Sequence, residues 1–521
     1  MTATRTTPDR APTAPATGGR PSGGPRRTLR AVVVGAGFGG LAAARELRRR
    51  GVAEVTVLEK GDRVGGVWRD NTYPGAACDV PSSLYSYSFA PKPDWSRRYG
   101  EQDEILRYIE EVAAREELLD LVRTRTEVTS ATYDEERCRW TVATRTADGT
   151  TEELDVDLVV FAVGQLSRPH VPPLPGIASF RGPAFHSAEW DHDLELAGKR
   201  VAVVGTGASA IQFVPHLARA AGHVTVFQRS APYVVPKPDR AYTRLHHHAF
   251  RRFPRTQGFG RELTRTLSEL LNRTLGEDTV LTKAFVAAFR LHLRHQVADP
   301  ALRAKLLPDY AVGCKRLLFS NDWYPALTRD DVEVVTHAVV EVTPDGVRAS
   351  DGTFHPADVI VYGTGFKATE FLTPVEVTGR GTTLAESWAD EAHAYLGMTV
   401  PQFPNLFVVY GPNTNLGGSS ILSMIECQTG YLGQLVDRLL TGELEVAEVR
   451  EDVAAGFDRE VQERLSRSVW ASGCSSWYQE ADGRITTNWP GTVQEYRERT
   501  AVLQPSDFVR TAAPLRVSRS A

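Results

Sequence analysis

With 521 residues, 42 % hydrophobic and 24 % charged, the chain has the make-up of an ordinary globular protein too long for a single core, and two or three domains are expected. Its net charge of −4 offers no electrostatic case for nucleic acid or an anionic membrane as a partner. The longest uncharged apolar run, Ala31 to Ala44, is too short for a bilayer span and holds four glycines.

Residues 1–29 are rich in Pro, Thr, Gly and Arg without the apolar stretch of a secretion signal, and a disordered tail is expected there. The first ordered unit opens with Val32-Val-Val-Gly35-Ala-Gly37-Phe-Gly-Gly40, a strand running into a glycine turn and an Ala-rich helix. A second strand follows, Val55-Thr-Val-Leu-Glu59-Lys60. This βαβ pattern seats a dinucleotide pyrophosphate on a helix N-terminus. Glu59, 24 residues past Gly35, is an acceptor suited to ribose hydroxyls, so Gly35, Gly37, Gly40 and Glu59 point to FAD.

Next come a helical stretch near Glu101 to Glu117 and strand-like runs at Trp140-Thr-Val-Ala-Thr and Leu158-Val-Val-Phe-Ala-Val163. A Pro-rich connector, Pro169 to Pro175, leads to a near-copy of the first unit: Val201-Ala-Val-Val-Gly205-Thr-Gly207-Ala208-Ser209-Ala210, then Val224-Thr-Val-Phe-Gln228-Arg229-Ser230. Where the first copy has a carboxylate, the second has Gln228 and Arg229, so a cation replaces a group that would repel a 2′-phosphate. NADPH is the ligand expected on Gly205, Gly207, Ala208, Ser209, Arg229 and Ser230.

After Pro238 the sequence turns helical and rich in Arg, His and Leu, and residues 240–312 are expected to form a helical insertion in the second domain. Three adjacent histidines there, His246 to His248, cannot all face one metal from a helix, and they read as solvated surface with no metal site. Strands resume at Val332-Glu-Val-Val335 and Val359-Ile-Val-Tyr362, and Leu406-Phe-Val-Val409 suggests a return to the first domain. A charged segment, Gly442 to Arg467, reads as a solvated helix. The expected fold is therefore α/β, with two Rossmann-like dinucleotide-binding domains and a helical insertion. Its division is a tail at 1–29, the FAD domain at 30–165 and 366–502, the NADP domain at 166–365, and a second tail at 503–521.

Five scattered cysteines, Cys78, Cys138, Cys314, Cys427 and Cys474, form no Cys-x-x-Cys pair. That argues for a reducing cytoplasm and against a flavin disulfide reductase. The Ser420 region has no Gly-x-Ser-x-Gly elbow, and hydrolase chemistry finds no support.

Two longer patterns carry a family resemblance. Gly66-Val-Trp68-Arg-Asp-Asn-Thr-Tyr73-Pro74-Gly75-Ala-Ala-Cys-Asp79 resembles the Gly-x-Trp-x4-Tyr-Pro-Gly-x3-Asp fingerprint of type I Baeyer–Villiger monooxygenases. Phe180-Arg-Gly182-Pro-Ala-Phe-His186-Ser-Ala-Glu-Trp190-Asp191 is similar to their Phe-x-Gly-x3-His-x3-Trp-(Pro/Asp) signature. The resemblance covers roughly Arg30 to Thr500 and implies an FAD enzyme that uses NADPH and O2 to convert a ketone to an ester or lactone through a C4a-peroxyflavin.

By that resemblance Arg316, in Gly313-Cys-Lys315-Arg316, is the cation assisting the peroxide, and Lys315 joins Arg229 at the 2′-phosphate. Asp79 pairs with Arg316; an unpaired guanidinium in a dry site is costly. Tyr73-Pro74-Gly75 is expected to shape a tight passage near the flavin. Trp68 and Gln165 fall among the residues around the cofactors, and Trp477 resembles a tryptophan that contacts NADP. Phe180, Gly182, His186 and Trp190 lie where the family links its domains, so His186 reads as a hinge residue. Substrate contacts are expected from the insertion and from Leu416 to Met424. The alternatives are a nitrogen- or sulfur-oxidising monooxygenase on the same scaffold, and an NADPH oxidase or electron-transfer flavoprotein.

Overall fold

The computed structural model describes residues 26–275, 279–389, 391–473, 478–479 and 483–509. Two five-stranded, all-parallel sheets organise them. The first runs Leu406–Val408, Leu158–Phe161, Arg30–Val34, Glu54–Leu58 and Val122–Arg123. The second runs Val332–Val335, His223–Phe227, Arg200–Val204, Val359–Tyr362 and Ala184–His186. Their central strands are continuous Val, Ile and Leu runs buried on both faces, which is what parallel strands flanked by helices require.

The two glycine turns are built alike. Gly35 and Gly205 have φ of +98° and +107°, which only glycine adopts without strain. A Cβ on Gly35 would stand 2.7 Å from the Ala162 carbonyl oxygen, and one on Gly205 2.4 Å from that of Gly363. Each of those carbonyls belongs to the residue just past the neighbouring strand, 158–161 or 359–362. The matching sequences thus make matching crossings of the chain.

Expected elements are found at Gln102–Arg115, Arg139–Thr146, Val332–Val335, Val359–Tyr362 and Leu406–Val408. The insertion contains the helices Arg244–Arg252, Pro254–Leu275, Val280–Gln296 and Pro300–Lys305. Other features depart from the sequence reading. An antiparallel sheet of Thr126–Asp134, Arg139–Thr146 and Thr151–Val156 hangs from the first domain, and a smaller one, Val339–Thr343 to Phe354–Pro356, from the second. The segment expected to be solvated holds the helix Glu451–Ser466, which buries Ala454, Phe457, Val461 and Leu465, a stripe at helical spacing hidden among charges. From Ile421 onward the presumed substrate loop is the start of a 21-residue helix, Ile421–Thr441, capped by the Ser420 hydroxyl.

His246 caps the helix Arg244–Arg252 with Thr243, and His247 bonds the Trp95 carbonyl. Among the described residues no cluster of His, Cys, Asp and Glu is placed to hold a metal ion, and no helix is long and apolar enough to cross a membrane. Scatter along the sequence proved a poor guide to the cysteines. Cys78, Cys138 and Cys427 are free thiols, whereas Cys314 is disulfide-bonded, since a fold can join residues far apart in the chain.

Candidate active site

A cavity of about 400 Å³ opens at the first glycine turn, lined among others by Gly35, Gly37, Glu59, Trp68, Gln165 and Tyr410. Glu59 is buried at its edge and accepts from the Ala36 N–H (2.8 Å), the Gly61 N–H (2.7 Å) and Arg69 Nη1 (2.8 Å). It therefore braces the turn as well as presenting a carboxylate at the cavity. Gly40 admits no side chain: a Cβ there would fall 1.8 Å from the Gly35 oxygen. Trp68 is fixed by an Nε1–H donated to the Tyr85 hydroxyl.

The helices that follow the two turns, Phe38–Arg50 and Ala210–Ala220, have no side-chain cap at Gly37 or Ser209. Thr279, Asp299, Thr383, Ser420 and Thr492 supply such caps to five other helices, whereas Gln102–Arg115 and Glu451–Ser466 also go without. Leaving the N-termini at the two glycine turns bare suits a phosphate ligand, whose oxygens take the orphan N–H groups. Gln165 is buried, with its amide N–H donated to the carbonyls of Tyr410 and Gly411, while its Oε1 has no hydrogen-bond partner. A buried acceptor left open is a place for a ligand donor. The residues present fit a flavin dinucleotide in this cavity.

The pair that the resemblance led us to expect is outside the cavity lining but within electrostatic range of Tyr410 and Tyr85, which line it. Arg316 donates from Nε and Nη2 to the two carboxylate oxygens of Asp79, at 2.7 and 2.9 Å, across 237 residues of sequence. Such a fork fixes the guanidinium plane as well as its charge. The Asp79 carboxylate raises Arg316 further above its ordinary value. Burial alone would raise the Asp79 carboxyl, but the Arg316 charge outweighs it and holds the group below the usual carboxylate range. Three groups that sequence reasoning passed over surround the pair: Tyr410 and Tyr478 feel the Arg316 charge, and Lys237 feels that of Asp79. Tyr410 has φ of +63° directly before Gly411-Pro412, the one sequence signal that marked it.

A carboxyl depressed in the fold adds stability above the ordinary carboxylate range and loses it as pH falls through the lowered value. We therefore expect the melting temperature to drop as pH is lowered from about 5 toward about 3, measured by thermal denaturation of the full chain. Asp79→Asn is expected to flatten that acid limb while lowering stability at neutral pH, because Arg316 loses its counter-charge.

At the second turn, Lys315 Nζ donates to the Ser230 hydroxyl at 2.6 Å. Burial, then the nearby Arg229 charge, lowers the Lys315 pKa. Two cations held close together, one of them bonded to a hydroxyl, fit a phosphate monoester. Gln228, by contrast, does not face the ligand side. It is buried and donates to the Lys305 carbonyl at 2.7 Å, so it anchors the insertion to the second sheet.

The two long signatures meet on the helix Ala210–Ala220. The Tyr73 hydroxyl donates to Gln212 Oε1 (2.9 Å), Gln212 Nε2 donates to the Ala77 carbonyl (2.9 Å), and Thr72 Oγ1 bonds His192 Nε2 (2.8 Å). Phe213 lies between the rings of Tyr73 and Trp190, 5.9 and 5.3 Å away. The Tyr-Pro-Gly turn is thus a docking edge between the two nucleotide units: Gly75 (φ +81°) abuts His216 and the Gln212 carbonyl. Gly182 is required because a Cβ would stand 2.2 Å from the Asp358 oxygen, and Phe180 packs beside it. His186 is buried, accepts from the Ala188 N–H, and is kept toward its neutral form by burial. Its strand pairs with Val359–Tyr362, and its ring touches Phe366, where the chain leaves the second sheet. Trp477 lies outside the described residues.

Comparisons with known proteins agree with this arrangement. The flavin-binding monooxygenase-like family model matches residues 28–375. A Baeyer–Villiger monooxygenase of Streptomyces coelicolor is 43 % identical over 497 residues, 95 % of each chain. Among solved structures, a steroid monooxygenase bound to NADP superposes with a TM-score of 0.80 at 32 % identity, over 91 % of this chain and 97 % of the other. OTEMO in complex with FAD and NADP gives 0.81 at 27 % identity, with the same coverage of each chain.

Proposed function

The chain belongs to the flavin-binding monooxygenase-like family and to its Baeyer–Villiger branch, and from that premise we propose how its residues oxidise a ketone to an ester or lactone with FAD, NADPH and O2. Bound FAD supplies hydride acceptance and the activation of O2. The protein's part is to bind, orient and stabilise. Gly35, Gly37, Gly40 and the bare N-terminus of Phe38–Arg50 take the FAD pyrophosphate, Glu59 takes the ribose, and Trp68 and Gln165 border the ring system. Gly205, Gly207, Ala208 and Ser209 take the NADPH pyrophosphate, and Arg229, Ser230 and Lys315 its 2′-phosphate.

The observation that carries the reading is the forked Asp79–Arg316 pair, within electrostatic range of the cavity-lining Tyr410. Arg316 is the cation that stabilises negative charge on oxygen next to the bound ketone, and Asp79 holds it in the plane where it does so. Phe180, Gly182, His186 and Trp190 couple the NADP unit to the chain that returns to the FAD unit. We assign 30–165 with 366–502 to the FAD domain and 166–365 to the NADP domain. A cytoplasmic setting belongs to the same proposal; the use of NADPH and three free thiols support it, and the disulfide at Cys314 stands against it.

The test is NADPH consumption by the FAD-loaded protein under air, with and without a series of cyclic, aromatic and linear ketones. The reading predicts that at least one ketone accelerates consumption and yields its ester or lactone in proportion. Equal consumption with every ketone, all of it accounted for as hydrogen peroxide, would instead mark an NADPH oxidase.

A further inference from the structure

The helix Pro254–Leu275 is turned inside out. The residues it sets against the protein are polar: Gln257 donates to the Lys92 carbonyl and Arg261 to the carbonyls of Ser83 and Ser86, while Arg265 pairs with Glu262 and Glu269 of the same helix. The Arg261 and Arg265 side chains are only 13 % and 12 % exposed. Among its described side chains the large apolar ones face outward, with Phe259, Leu263 and Leu267, one turn apart, at 72 %, 48 % and 55 % exposure. A surface helix ordinarily does the reverse.

The neighbouring helix Val280–Gln296 packs Phe289 and Leu293 into the core in the ordinary way, yet it also leaves Val280 and Leu291 at 83 % and 70 % exposure. Of fifteen large hydrophobic residues exposed among the described residues, nine lie between Leu245 and Leu291, so the exposure is concentrated in the insertion. Such a concentration marks a contact surface.

Charge identifies the occupant. From Arg244 to Gln296 the chain has ten Lys and Arg against four Asp and Glu, a net +6 inside a protein whose total is −4. The exposed Arg251, Arg252 and Arg255 lead into the apolar stripe, and Arg290 and Arg294 follow it. A second copy would bring the same positive surface against itself. Outward Phe and Leu set among exposed arginines match the headgroup and acyl boundary of a membrane bearing negative lipids.

We propose that the insertion's outward apolar stripe and its arginines dock this protein on the surface of an anionic lipid bilayer. The whole-chain charge conceals this, because the remaining residues are acidic enough to reverse the sign. The inference concerns binding only and does not depend on the reaction proposed above.

The test is co-sedimentation of the FAD-loaded full chain with vesicles of phosphatidylglycerol and phosphatidylcholine, and with vesicles of phosphatidylcholine alone. Binding is expected to the first and not the second, and to weaken as salt is raised. Leu263→Ser with Leu267→Ser is expected to lower the bound fraction about tenfold or more, with FAD content and melting temperature unchanged. Arg251→Glu with Arg252→Glu tests the electrostatic half independently and is expected to lower binding similarly. No binding to the anionic vesicles at low salt would overturn the proposal, as would binding unchanged in both variants. Sedimentation velocity showing a dimer that the Leu variant dissolves, without vesicle binding, would assign the stripe to a second copy.

Discussion

Arg316→Ala is expected to lower kcat for ketone oxidation by about 10²–10³-fold, the usual consequence of removing one stabilising donor from a developing oxyanion. Reduction of FAD by NADPH should stay within a few-fold of normal, because the glycine turns and the 2′-phosphate cations are untouched. Sulfide oxidation should be spared relative to ketone oxidation, since it needs an electrophilic oxygen donor and not an anion held beside a cation. Equal losses of both activities would count against the role given to Arg316. Asp79→Ala should cost less than Arg316→Ala, and the double variant no more than Arg316→Ala alone, because both act through one fork of 2.7 and 2.9 Å. Steady-state and rapid-mixing kinetics with NADPH and a turned-over ketone separate the two half-reactions.

The second large effect concerns cofactor choice. Arg229→Ala is expected to raise the KM for NADPH about 10–100-fold, the worth of a hydrogen bond to a charged group, and to leave the KM for NADH nearly unchanged. Lys315→Ala should act in the same direction. The two together should lose less than the product of the single effects, because Lys315, bonded to Ser230, lies close enough to Arg229 to feel its charge and both are assigned to one phosphate. An unchanged preference in the double variant would remove the 2′-phosphate from this place.

Much of the site was legible because local rules governed it. Strand, glycine turn, helix and second strand are short-range patterns, and the structure returns them at Gly35 and Gly205 with matching φ and matching crossings. The Asp79–Arg316 pair followed from resemblance alone; no spacing rule reaches across 237 residues. What stayed hidden depends on tertiary contact. Gln228 sits beside Arg229 in sequence, yet one turns inward to the Lys305 carbonyl and the other outward, as alternation along an extended chain dictates. Tyr73-Pro74-Gly75 read as a turn near the flavin, whereas Gln212 and Phe213 make it a joint between the nucleotide units. The helix Ile421–Thr441 was not read from the sequence, and its length is held by burial of Leu422, Met424, Leu432 and Leu435. Likewise Tyr410 and Lys237 carry no motif, and only the fold brings them to the ion pair.

The central claim is that this chain delivers one atom of O2 into a ketone. It is tested most directly by running the FAD-loaded protein with NADPH, a panel of ketones and ¹⁸O-labelled O2, and weighing the products by mass spectrometry. The account predicts an ester or lactone carrying a single labelled oxygen, formed in step with NADPH consumed and lost in Arg316→Ala. Labelled hydrogen peroxide equal to the NADPH consumed, with every ketone recovered unchanged, would contradict it.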